Sequence, residues 1–364
     1  MKKRELLWRL DENRIPYAIL KISENTRIVA VERGGRVFGP FRGEDAEGLF
    51  WVSEKLKDAG QASELFGGSD WNVGGDRLWF GPEIRYSVRD RKRFWETLHT
   101  PEGIDPGHYK LNAYETQARL WQRLELKRAD EKDGTAKLDV SRDIAAADNP
   151  LRELKEYGNL MENVSFCGYR QRICLEGEGE GEAVEAWNLL QVNAGGNVYI
   201  PMYRPEAGAD YYEPAAGYEK VLEKGVLLRA TGRDRYKTGY RAASVTGRIG
   251  YACEWEGTPC LLIRNFPNDP AGLYEEEPPL KPGVHGFSVH VYNDGGNSGG
   301  FAEIECTLPA VLGSSGRAKS DDIISTWIFA GDIEPLGQIA RILLGSDEIF
   351  AGFPGKAVIS VSQA

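Results

Sequence analysis

Along most of the chain, apolar and polar residues change places every second position, the period of a pleated strand with one buried face. Residues 17–41 read as YAILKI, a turn at Ser23-Glu24-Asn25, then TRIVAVERGGRVFGPF, a hairpin whose second arm runs into Gly34-Gly35. Residues 114–141 alternate again and turn at Asp133-Gly134. Strand-like runs recur at 163–176, 183–192, 197–204, 225–231, 239–253 and 259–266. Between residues 283 and 310 the alternation is clearest: Phe287, Val289 and Val291 interleave with Ser288, His290 and Tyr292. Asn293-Asp294-Gly295-Gly296 turns the chain, and a second strand carries Glu303 and Glu305. Two residues apart in a strand, these carboxylates share a face.

Helical periodicity is scarce. Pro335–Leu344 has proline in its first turn and Gly345 after its last, the usual punctuation of a helix. Residues 45–58, with Leu49, Val52 and Leu56 on one side, predict a short second helix. Residues 99–111 hold too much Pro and Gly for regular structure and predict a surface loop flanked by His99 and His108. Residues 176–183, EGEGEGEA, predict a solvated acidic turn. Closely spaced strands without a Pro/Gly/Ser-rich linker predict an all-β fold, a single antiparallel sandwich domain spanning residues 1–364. The Gly pairs at 34–35, 74–75 and 195–196 read as turns and bulges, because none sits between a strand and a helix as a dinucleotide fingerprint would.

Composition narrows the partners. A formal charge of -10, with no basic run longer than Arg91-Lys92-Arg93, argues against a nucleic-acid partner. No run approaches the roughly eighteen apolar residues of a membrane span, so no membrane partner is expected. The opening MKKRELLWRLDEN is broken by Arg9, Asp11 and Glu12 and is no signal peptide as it stands, which predicts a cytoplasmic location. Cysteines 167, 174, 253, 260 and 306 are odd in number and lack CxxC spacing, as expected of reduced thiols serving as small apolar fillers. No spacing suggests a metal site, and no cofactor is expected.

The succession RIVAVERGGRVFGPF, GGDRLWFGPE, EAWNLLQVNAGGNVYIP, VHVYNDGG and GGFAEIECTLPA resembles the galactose mutarotase-like superfamily, over roughly residues 17–350. The nearest likeness is to bacterial branches sharing the GGDRxWxGPE and YNDG…ExE signatures. The resemblance implies a β-supersandwich with an open concave face that binds a small-molecule carbohydrate. In the aldose 1-epimerases of this superfamily a late-strand glutamate takes the anomeric proton while a histidine protonates the ring oxygen, chemistry that needs acid and base tuned near working pH. The glutamate matches Glu305 or Glu303. The histidine does not carry over: where the epimerases show Asn-His-x-x-Phe-Asn this chain has AVEAWNLLQV, with Trp187-Asn188 and no imidazole. His99, His108, His285 and His290 are the histidines left to replace it, and His290 shares its strand face with Tyr292.

Arg77 lies near where the epimerases place a sugar-binding arginine, and its fork of donors suits paired hydroxyls or a carboxylate. Trp79 offers a flat face to a pyranose, Glu83 follows the Gly81-Pro82 turn, and an ion pair of Arg77 with Glu83 or Glu305 is an equal expectation. Asn188 or Gln191 stands where the acid is missing, and Tyr292, Asn293 and Asp294 complete the expected substrate-binding set. Two functions compete: an epimerase-like enzyme with a glutamate base, or a sugar-binding sandwich that kept the cleft and lost the acid. Glycoside processing is a remoter third, since carboxylates two apart on one strand cannot straddle a sugar and Glu83 would have to oppose them.

Overall fold

The computed structural model describes residues 1–177 and 182–353. Two large sheets pack face to face, one of nine strands and one of ten. The first orders its strands as Tyr17–Lys21, Arg27–Val31, Arg36–Phe41, Asp76–Gly81, Glu185–Asn193, Phe301–Thr307, Phe287–Asn293, Tyr236–Arg241 and Ala209–Asp210. Neighbours run antiparallel. This is the expected all-β, antiparallel sandwich. In the second sheet the Gln117–Lys127 strand alternates exposed and buried residues without a break. Its apolar side, with that of Thr135–Ala146 and Val164–Gly177, faces the first sheet through a hydrophobic cluster drawn from both.

The central strands of the first sheet differ from that pattern. Asp76–Gly81 and Phe301–Thr307 are buried at every position, since the second sheet covers one face and loops wall the other. That doubly covered centre holds the charged residues discussed below. Gly74 allows the chain to enter it: at φ +113° a Cβ would lie 2.5 Å from the Trp51 carbonyl oxygen.

The expected C-terminal helix is present as Ile333–Leu344. Its Leu336, Ile339, Ala340, Leu343 and Leu344 cover the outer face of the second sheet at Tyr199, Leu261 and Phe329. Residues 45–58 form no α-helix; a single 3₁₀ turn at Glu54–Lys57 precedes the helix Ala59–Gly67, which starts where Asp58 accepts the Gln61 N–H at 2.9 Å. A helix at Lys3–Glu12 was not foreshadowed by the alternation, and it packs Leu6 and Leu10 against Val29, Phe38 and Phe41. The 99–111 segment is a loop, but not a superficial one, because Ile104, Asp105 and Tyr109 are buried. The centre of the predicted acidic turn, 178–181, lies outside the described residues. Among the described residues no helix is long and apolar enough to cross a membrane.

Candidate functional site

Strand register sets the site. Arg77 pairs with Leu189, Leu189 with Glu305, and Glu305 with His290. The next row across the sheet runs Gln191, Glu303, Tyr292, Lys237, and the row on the other side begins Trp79, Trp187. Residues directly paired point to the same face, so these side chains stand together on the side away from the second sheet. Over them lies a cavity of about 240 Å³. Its floor carries Arg77, Lys237 and Glu303; Trp71, Trp79, Trp95 and Trp187 wall it, with Glu83, Tyr212, Tyr292 and His99 among the remaining lining.

Arg77 donates from Nη2 to Glu303 Oε1 at 2.8 Å. Its guanidinium stands over Trp79 at 4.4 Å and Trp71 at 5.1 Å, while its buried Nε and Nη1 have no hydrogen-bond partner in the protein. Donors so placed are costly unless a ligand or water takes them. The indoles are held from behind: Trp79 Nε1 donates to Asp105 at 2.9 Å and Trp187 Nε1 to Glu305 at 2.8 Å. Both indoles are thereby fixed in the cavity wall, edge-to-face on each other at 5.7 Å, with Arg77 over the Trp79 ring and Lys237 over the Trp187 ring, each at 4.4 Å.

Glu305 is fully buried two residues along the strand from Glu303, beneath Trp187 rather than on the cavity wall. Its second oxygen, Oε1, is unpartnered. Burial raises its carboxyl to about 7; Lys237, 3.5 Å away, pulls down and the Glu303 charge pushes up. Burial also works against the charge of Lys237, but Glu305 and then Glu83 overcome it and hold the ammonium above its ordinary range. Next to Glu83 two more carboxyls are held protonated: burial pushes Glu185 up to about 8, and burial with the Glu83 charge lifts Glu276 well above the usual range. Tyr212 donates to Glu83 Oε2 at 3.2 Å, and burial followed by the Glu83 charge keeps its phenol un-ionised.

Among the described residues no group of three His, Cys, Asp or Glu side chains is arranged to hold a metal ion. A family model described as "Family of unknown function (DUF6786)" matches residues 9–348. The chain belongs to that family. No curated protein matches the sequence. Similar solved structures include HI1317 (TM-score 0.45, 9% identity, 86% of this chain and 92% of that one). A GalM/aldose epimerase homologue from C. elegans matches at TM-score 0.44 and 9% identity, over 87% of this chain and 100% of the other. The galactose 1-epimerase from Lactobacillus acidophilus NCFM matches at TM-score 0.43 and 10% identity, over 87% and 95%. All three are distant in sequence and loose in superposition.

In this DUF6786 chain, then, Arg77, Trp79, Glu83, Tyr292 and Glu303 meet around one cavity, and the expected residues at 188, 191, 290, 293 and 294 do not line it. Asn188 is turned the other way, into the layer between the sheets. It donates to Asp76 Oδ1 at 2.6 Å and to the Arg77 carbonyl at 2.7 Å, and accepts from Gln171 and Arg264. Gln191 points to the cavity side and donates to Asn72 at 3.1 Å, while its buried Oε1 has no partner. Asn293 and Asp294 build the turn: Asn293 accepts the Gly232 N–H, and Asp294 Oδ2 accepts those of Gly296, Ser298 and Gly300. His290 lies under Tyr211, ring centroids 4.8 Å apart, and both its nitrogens are unpartnered. Burial, then Lys237, holds it well below its usual pKa, so it is neutral. The histidine that reaches the cavity is His99. Sequence reading missed Lys237, Tyr212 and Trp95; the signal for Lys237 was a lone cation inside the YKTGY strand.

Proposed function

We propose that this cavity binds a carbohydrate and catalyses its anomeric interconversion in the manner of an aldose 1-epimerase. The observation that carries the reading is the cavity's lining: four indoles around a convergent Arg77, Lys237, Glu83 and Glu303. Flat aromatic faces take the C–H side of a pyranose, and charged groups with free donors and acceptors take its hydroxyls. Glu303, on the cavity floor beside Arg77, is the base that accepts the proton of the anomeric hydroxyl. His99 on the wall is the acid that delivers a proton to the ring oxygen, the C1–O5 bond breaks, and re-closure on the other face returns both protons. Lys237 stays charged and stabilises the oxyanion developing on the sugar. Glu305 holds Trp187 and Lys237 in place from below.

One observation favours the second reading, a binding module without turnover: Glu303 is already engaged by Arg77 at 2.8 Å. Polarimetric equilibration of freshly dissolved α-glucose, α-galactose and α-xylose separates the two. The enzyme reading expects wild-type acceleration that falls about 10²–10⁴-fold in Glu303→Gln. Acceleration retained in Glu303→Gln refutes the base. Saccharide binding without acceleration on any of these sugars hands the case to the binding module.

A further inference from the structure

The cavity has a neighbour. Trp71, half-buried, stands in the wall of both the 240 Å³ cavity and a second cleft of about 430 Å³. The second is lined by Trp51, Ser53, Asp70, Asn72 and Asn297, with Gly299 on its rim. We propose that this cleft is a second sugar subsite, so that the ligand is a disaccharide or longer glycan running past Trp71 from one compartment to the other; the inference rests on the carbohydrate reading above and names its substrate class.

Three features of the cleft support it. Its charges cancel: Lys55 pairs with Asp70 at 2.8 Å and Glu54 with Lys57 at 2.6 Å, leaving the Trp71 indole, the Asn297 amide and the Ser53 hydroxyl to meet the ligand. Such a lining suits a neutral, hydroxyl-rich ligand and offers no unpaired cation to an anionic one. Second, its outer wall is preorganised. The Gly295–Gly300 loop is pinned by Asp294 Oδ2, which accepts the N–H groups of Gly296, Ser298 and Gly300, and Ser298 O accepts from Asn72 Nδ2 at 2.6 Å. Gly299 at φ +120° sits so close over Trp51 that a Cβ would meet the indole at 2.5 Å. The glycines bring the loop down onto the tryptophan, and Asn297 is left projecting from it, exposed. Third, the compartments are joined mechanically. Gln191, on the floor strands, donates to Asn72 Oδ1 at 3.1 Å, and Trp71 packs edge-to-face on Trp79 at 5.6 Å.

The test is isothermal titration calorimetry of wild type, Asn297→Ala and Asn297→Trp with glucose, galactose and xylose and with their α- and β-linked disaccharides. Disaccharides are expected to bind wild type about three- to tenfold tighter than the matching monosaccharide, the increment one further ring-on-indole contact brings. Asn297→Trp, which fills the cleft from an exposed loop position, is expected to erase that difference and leave monosaccharide affinity as it was; Asn297→Ala should reduce it partially. Equal affinity for mono- and disaccharides in wild type overturns the subsite while the carbohydrate reading stands. A disaccharide gain that survives Asn297→Trp overturns its location. No binding of any saccharide removes both.

Discussion

At the scale of single residues the site is governed by carboxyls that burial has moved into the neutral range. Glu305 is the informative one, because its two downward influences are nameable: the ammonium of Lys237 and the indole N–H of Trp187. Removing either should raise its pKa beyond about 7. Carbon-13 NMR titration of the Glu305 carboxyl is therefore expected to shift to higher pH in Lys237→Met and, less, in Trp187→Phe; a shift downward in either contradicts the electrostatic picture. Glu185 makes the same point for stability. Its folded value of about 8 lies above the ordinary 4.5, so the native state holds the proton more tightly than the unfolded chain. That contribution is complete below the ordinary carboxyl range and is lost as pH rises through about 8. Glu185→Gln keeps an uncharged oxygen for the Glu275 N–H and has no proton to lose. Denaturant unfolding should show the variant near wild type at about pH 5 and more stable by about 2–4 kcal/mol at about pH 9. An advantage that is greater in acid reverses the sign and refutes it.

At the scale of elements, what was legible in the sequence was period, and what was not was pairing. Strand after strand follows from alternation, and the shared face of Glu303 and Glu305 needs no more than their spacing of two. The same parity separates Asn188 from Gln191: three apart in one strand, they had to face opposite ways. Which of them meets the cavity depends on the register against Asp76–Gly81 and Phe301–Thr307, set by contacts over a hundred residues apart in the chain and invisible to local pattern. Helices fared unevenly for a related reason. Ile333–Leu344 has its apolar stripe at i, i+3, i+4 and i+7, whereas Lys3–Glu12 buries little beyond Leu6 and Leu10 amid charge. The C-terminal helix covers the sheet remote from the cavity. Ile339→Ala is accordingly expected to cost about 2–5 kcal/mol in unfolding free energy and to leave saccharide affinity of the folded protein unchanged. A change in affinity without loss of stability would sink that separation of roles.

At the scale of the molecule, the sheets are joined by more than apolar contact. Asp76, from the first sheet, accepts from Arg142 Nη2 at 2.7 Å and from Tyr169, and stands 3.8 Å from Arg264, all three from the second. Gln171 and Asn188 fill the remaining valences. Burial pushes the Asp76 carboxyl up, yet Arg142 and Arg264 prevail and hold it below its ordinary range. Arg142 also donates to the Gly35 carbonyl at 2.5 Å, so one cluster ties five strands and a turn across the sandwich. Charges so deep contribute little net stability as a pair, but losing one partner leaves the other buried and unpaired. Asp76 also precedes Arg77, so its anchoring fixes the strand from which the cavity's arginine projects. Asp76→Ala strands two fully buried guanidiniums and should cost about 3–5 kcal/mol. Asp76→Asn keeps an acceptor for Arg142 and should cost less, while still weakening saccharide binding through the displaced Arg77. Calorimetric melting with parallel titration of ligand tests both. If Asp76→Asn melts lower yet binds as wild type does, the cluster holds the sheets together without positioning the site.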